Sequence, residues 1–122
     1  MGDVTAKVLI ADDQGFFRTL LRDLLTDGGL SVVAEASDGA EAVAMAIAYK
    51  PDIVILDVVM PGKNGLEAAL DISRLVPRPK IVMCSSLDDG PIVKEAIESG
   101  ADAFIYKPVN GPEVLKTLRG LL

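Results

Sequence analysis

The sequence has no histidine and only one cysteine in 122 residues. Without histidine the chain lacks the usual general base near neutral pH, the Ser/His/Asp arrangements of acyl transfer, and His-containing zinc sites. Any metal here must be a hard cation held by oxygen. Cys84 alone cannot form an internal disulfide and reads as a small core hydrophobe without a redox role. Basic residues are outnumbered: 12 Lys and Arg against 18 Asp and Glu leave a net charge of −6. That argues against direct binding of nucleic acid or an anionic membrane, since phosphate contacts need a basic footprint. There is no charged-then-apolar leader and no apolar run long enough to span a bilayer. The expectation is a soluble, cytoplasmic protein of a reducing compartment.

Half of the residues are apolar and a quarter are charged, an ordinary balance for one domain, taken as 1–122. A chain of this size buries about two-thirds of its unfolded surface and folds without a disulfide or structural metal. Two periods alternate along it. Short apolar runs occur at Val8–Ile10, Ser31–Ala34, Ile53–Leu56, Ile81–Met83 and Ala103–Ile105. Between them lie stripes at helical spacing: Phe17, Leu20, Leu21, Leu24 and Leu25; Ala42, Val43, Ala46 and Ile47; Leu66, Ala69, Leu70 and Ile72; Ile92, Val93, Ala96 and Ile97; Val114, Leu115, Leu118 and Leu121. Gly28-Gly29, Lys50-Pro51, Val76-Pro77 and Ser99-Gly100 punctuate them. Asp38 with Glu41 three residues on has the pattern of a capping box. Five strand–helix units predict an α/β fold with a parallel sheet covered on both faces.

Ligands of such sheets bind beyond the carboxyl ends of the strands. Asp12 and Asp13 follow the first strand, Asp57 the third, Ser85 and Ser86 the fourth, and Lys107-Pro108 the fifth. These residues should therefore meet at one edge. Three carboxylates together repel unless a cation intervenes, and an all-oxygen set with few protein ligands suits Mg²⁺, which favours phosphate as a further ligand. A carboxylate is a known phosphoryl acceptor, and a lysine and a hydroxyl can stabilise the oxygens of the group in transfer.

The set Asp12-Asp13, Asp57 followed by Met60-Pro61 and Gly65, Ser85, and Lys107-Pro108 resembles the receiver domain of two-component response regulators, in order and spacing over essentially the whole chain. The resemblance implies a flavodoxin-like, doubly wound sheet of five parallel strands, order 2-1-3-4-5, with five helices. It implies a phosphoprotein switch rather than an enzyme. Asp57 would accept a phosphoryl group from a sensor histidine kinase or phosphotransfer protein. Asp13, Asp57 and the Val59 backbone carbonyl would ligate Mg²⁺, or Mn²⁺ in its place, with Asp12 acting largely through water. Ser85 and Lys107 would hold the phosphoryl group, and the Lys107–Pro108 peptide would be cis. Ser85 and Phe104, three before the lysine, would form the switch. The readout to a downstream protein would use the fourth helix, fifth strand and fifth helix, near Ile92–Glu98, Phe104–Tyr106 and Glu113–Arg119, as a monomer or a phosphorylation-dependent dimer. Val59 and Leu87 are apolar where polar residues often assist an attacking water, which predicts slow self-dephosphorylation.

Each residue also has a plainer reading. Asp12-Asp13 or Asp57 could cap loops, Ser85 could cap the fourth helix, Phe104 could be core, Gly65 could serve a turn, and Lys107 could be a snorkelling lysine. The leading expectation is a stand-alone switch of the chemotaxis or phosphorelay kind. A receiver cut from a transcription factor or a chemotaxis methylesterase is the variant, since Cys84-Ser85-Ser86-Leu87 is similar to the receiver half of those methylesterases. An Mg²⁺-dependent aspartyl phosphohydrolase is the competitor from another class, although Val59 stands where its second acid belongs. A flavodoxin would need a Ser/Thr/Gly-rich first turn and more aromatics, and a P-loop enzyme would need its glycine–lysine signature.

Overall fold

The computed structural model describes residues 5–86 and 90–122. Strands and helices alternate: β1 (Lys7–Ala11), α1 (Gly15–Asp27), β2 (Ser31–Ala36), α2 (Gly39–Tyr49), β3 (Ile53–Leu56), α3 (Gly65–Ser73), β4 (Lys80–Ser85), α4 (Gly90–Glu98), β5 (Ala103–Tyr106) and α5 (Gly111–Gly120). The strands form one sheet in the order β2-β1-β3-β4-β5, and every neighbouring pair is parallel. Each apolar run of the sequence is a strand, so the expected five-stranded α/β fold and its strand order are borne out. β2 and β4 run further than their apolar runs, because Glu35 and Ser85 keep the ladder while breaking the hydrophobic pattern.

Alternation along the strands divides the core in two. Val8, Ile10, Ile53, Ile55, Val82, Cys84 and Ile105 point to one face, where Phe17, Leu21 and Leu25 of α1 and Val114 and Leu118 of α5 cover them. Leu9, Ala11, Val54, Leu56, Ile81 and Met83 point to the other, beneath Ala42 and Ala46 of α2, Ala68, Ala69 and Ile72 of α3, and Ala96 of α4. Large side chains in α1 and α5 fill one layer. Alanines in the other three helices let their backbones approach the sheet closely. Burying a side chain such as Leu25 stabilises the fold by about 1.5–3 kcal/mol. Four of the five helical stripes split at their edge, where Leu20, Ile47, Leu70 and Ile97 are exposed.

The helix starts fix the loops above the sheet. Asp38 accepts from the Glu41 amide at 2.8 Å, as the capping pattern predicts, but Glu41 turns back to the Ser37 amide, one residue before the cap. Asn64 and Glu67 make the full reciprocal box at the start of α3. Asn110 accepts from the Glu113 amide at 3.1 Å, with Pro112 in the first turn of α5. α1 has no side-chain cap from Gln14. Instead the Asp12 carboxylate accepts from the Gln14 amide at 2.8 Å, so α1 begins from a residue at the sheet edge.

Candidate functional site

Each residue singled out at a strand end sits at the carboxyl edge of the sheet. Asp12 follows β1, and its amide donates to the Ala36 carbonyl at 3.0 Å. The Asp57 amide donates to the Ala11 carbonyl at 2.9 Å, which sets the third-strand acid beside the first-strand pair. Ser85 is the last residue of β4, and its carbonyl accepts from the Lys107 amide at 3.0 Å. Ser85 is buried and α4 starts five residues later, so it is not the residue preceding that helix. The Lys107–Pro108 peptide is cis.

Asp12, Asp13 and Asp57 each offer one carboxylate oxygen, and these oxygens lie within 4.8 Å of one another. The Lys107 ammonium reaches Asp12 at 2.7 Å and Asp57 at 3.3 Å. This ends the snorkelling reading of Lys107, whose side chain is only 15% exposed and turns inward rather than to water. Asp12 and Asp57 are buried and Asp13 is exposed, so the cluster has an open side.

Charge in the cluster is unbalanced. Burial pushes the Asp57 carboxyl above its ordinary pKa, and the Asp12 charge adds to this; Lys107 opposes both without cancelling them. Burial alone would lower the Lys107 ammonium, but its hydrogen bond to Asp12 and the Asp57 charge outweigh that and hold it above the ordinary lysine value. One ammonium divided between two buried carboxylates cannot satisfy both. Three convergent oxygens, a deficit of positive charge and an open side fit a hard divalent cation that keeps some of its water. Burial also pushes the neighbouring Cys84 thiol up to about 12, which keeps it an unreactive core side chain.

A family model for the response regulator receiver domain matches residues 8–119. The chain belongs to that family. It is similar to the chemotaxis protein CheY of Thermotoga maritima, 42% identical over 92% of this chain and 93% of that one. It is also 42% identical to a protein-glutamate methylesterase/protein-glutamine glutaminase of Haloarcula marismortui, over 84% of this chain but 28% of that one. Among solved structures it is similar to a CheX–CheY–BeF3–Mg complex from Borrelia burgdorferi, with 31% identity, a TM-score of 0.90, and 95% of this chain and 88% of that chain covered. This receiver therefore carries a CheY-like fold and belongs to two-component signalling, and the sequence's similarity to methylesterase receivers is real. Among the described residues, no helix is long and apolar enough to cross a membrane.

The remaining residues of the sequence reading are placed as follows. Val59 is exposed at the rim, and its amide lies 3.4 Å from an Asp57 carboxylate oxygen. Phe104 packs against the alanine-lined core layer, and its ring meets that of Tyr106 at a tilt of 46° with centroids 5.0 Å apart. Leu87 lies outside the described residues. Two contacts were not read from the sequence. A Cβ on Gly65 would fall 1.9 Å from the Asp57 carbonyl oxygen, so Gly65 is needed for close approach to the acceptor loop and not for a turn angle. The ring of Phe17, read only as core, lies under the Lys107 ammonium at 4.1 Å.

Proposed function

We propose that this receiver is a phosphoacceptor switch in which Asp57 takes a phosphoryl group from a histidine kinase or phosphotransfer protein. The observation that carries the reading is the Lys107 ammonium set between buried Asp12 and Asp57 within the three-carboxylate cluster. Asp12, Asp13, Asp57 and the Val59 carbonyl would hold Mg²⁺ or Mn²⁺. Such an ion supplies positive charge that lets two anions, donor and acceptor, approach. An Asp57 oxygen forms the new bond to phosphorus as the donor's bond to phosphorus breaks, and the leaving electron pair stays with the donor. Lys107 and the Ser85 hydroxyl stabilise the equatorial oxygens during transfer. The Borrelia complex, in which a CheY is found with CheX, BeF3 and Mg, supports the reading by similarity.

The phosphorylated state would be read through the α4-β5-α5 face. Ile97 and Tyr106 expose apolar surface there, and Phe104 sits behind Tyr106, where a turn of its ring would change that surface. Val59 offers no group to orient an attacking water, so self-dephosphorylation is slow and Val59→Asn speeds it several-fold. A wild-type phosphoprotein that decays rapidly, at a rate Val59→Asn leaves unchanged, removes that part of the reading. The main test is intact mass after incubation with Mg²⁺ and a small acyl-phosphate donor. One added phosphoryl group, lost in Asp57→Asn and with a chelator, is the expected result. No adduct, together with no beryllofluoride binding, would reduce the chain to a phosphate-independent docking module.

A further inference from the structure

We propose that Phe17 is a positioning residue for Lys107: the ring face holds the ammonium at the point where Asp12 and Asp57 converge. An ammonium has three donors and is costly to bury without partners. Asp12 and Asp57 take up part of that need, at 2.7 and 3.3 Å. The Phe17 ring lies 4.1 Å from Nζ, within the range of a cation–π contact. The same ring excludes water from the ammonium, which strengthens the attraction between Lys107 and both carboxylates.

The placement is built by the residues around it. Asp12 accepts from the Gln14 amide, the Gln14 carbonyl accepts from the Phe17 amide at 3.1 Å, and Arg18 donates to the Asp12 carbonyl at 2.6 Å. The first turn of α1 is thus tied to the same aspartate that holds Lys107. Two adjacent phenylalanines then meet different fates: Phe16 is 74% exposed, while Phe17 is buried between the α1–α5 core and the lysine. Packing alone would accept any apolar side chain of that volume at position 17. The contact with the ammonium asks for an aromatic face.

The inference rests on the proposed phosphoacceptor role for its kinetic consequence, but the positioning itself is read without phosphorylation. Phe17→Met keeps the volume and removes the ring, and Phe17→Tyr keeps the ring. In metal-free protein, the ¹H–¹⁵Nζ signal of Lys107, assigned by its loss in Lys107→Arg, should be sharp in wild type and Phe17→Tyr and broadened by exchange in Phe17→Met. With Mg²⁺ and the acyl-phosphate donor, Phe17→Met should phosphorylate roughly three- to tenfold more slowly, the range expected from a cation–π contact that is only partly desolvated. Phe17→Tyr should stay within twofold of wild type. A Met variant that keeps both the sharp signal and the wild-type rate overturns the proposal. So does a Tyr variant that loses both while its thermal unfolding matches that of wild type. If wild type takes no phosphoryl group, the phosphoacceptor reading fails, and the ammonium signal still decides the role of Phe17.

Discussion

The two ends of the same strands treat acidic residues in opposite ways. At the amino edge, Asp52 accepts from the Lys7 amide at 2.7 Å, and Asp102 accepts from the Ile81 amide at 2.8 Å and from Arg78 at 3.0 Å. Each of these carboxylates fastens one chain segment to another. At the carboxyl edge, Asp12 and Asp57 divide one ammonium between them, with Asp13 beside them. Acid at the amino edge is structural and satisfied; acid at the carboxyl edge is buried with too little positive charge. The same residue type therefore stabilises the fold at one end and holds repulsion at the other. That repulsion is what a divalent cation can relieve.

The largest effect expected from breaking this arrangement is at Lys107. Lys107→Ala leaves two buried carboxylates without their shared cation, and removing one partner of a buried pair typically costs about 3 kcal/mol or more. Urea unfolding in chelator should show a loss of that order, and Mg²⁺ should recover much of it. A loss indifferent to Mg²⁺ would mean that the carboxylates do not act together on a cation. Gly65→Ala comes next. Its Cβ would collide with the Asp57 carbonyl oxygen, and the resulting backbone shift costs about 2 kcal/mol by the usual measure of overpacking. Gly120→Ala, with open space around its Cβ, is the control and should be neutral or slightly stabilising.

Lys107 and Gly65 also mark how far the sequence could be read. The strands and the acids and lysine at the carboxyl edge were legible from the residues, and the sheet order only through the family resemblance. Periodicity assigns strands, and a parallel sheet gathers strand ends whatever their distance in sequence. The Gly65 contact was not legible, because a clash with Asp57 depends on how the α3 loop packs, which no local pattern carries. Phe17 was read as core because a helical stripe looks the same whether or not its first member meets a charge. The Asn64–Glu67 capping box is present in the sequence, ahead of a helical stripe whose first apolar member is only Leu66. Glu41 shows the reverse error: the pattern was present, yet the side chain chose the Ser37 amide over that of the cap.

Asp102→Ala tests the satisfied edge. It leaves the Ile81 amide and the Arg78 guanidinium without their carboxylate. A lost bond of this kind costs about 1–2 kcal/mol, and the side chain is partly exposed, so water replaces some of it. The effect should be the same with or without Mg²⁺, as measured by thermal unfolding in both conditions. A Mg²⁺-dependent change here would show that the two edges are coupled and spoil the contrast drawn between them.

Asp57→Asn carries the smallest effect and the opposite sign. Burial and the Asp12 charge raise the Asp57 pKa above its ordinary 3.8, so the folded chain binds that proton more readily than the unfolded chain. Stability contributed by the protonated form is present below 3.8 and is lost as pH rises from there through the raised folded value. At neutral pH the ionised group is therefore a burden on the metal-free fold. Asp57→Asn removes the charge at nearly constant shape, and should raise metal-free stability by about 1 kcal/mol, a few degrees in Tm for a chain of this size. The gain should shrink toward pH 3.8 and below, where the wild-type carboxyl is neutral as well. In Mg²⁺ the order should close or reverse, because only the wild type keeps the full set of anionic ligands. A metal-free Asp57→Asn protein less stable than wild type at pH 7 would mean that the Lys107 ion pair outweighs burial and repulsion. Asp57 would then stabilise its edge of the sheet as Asp102 stabilises the other.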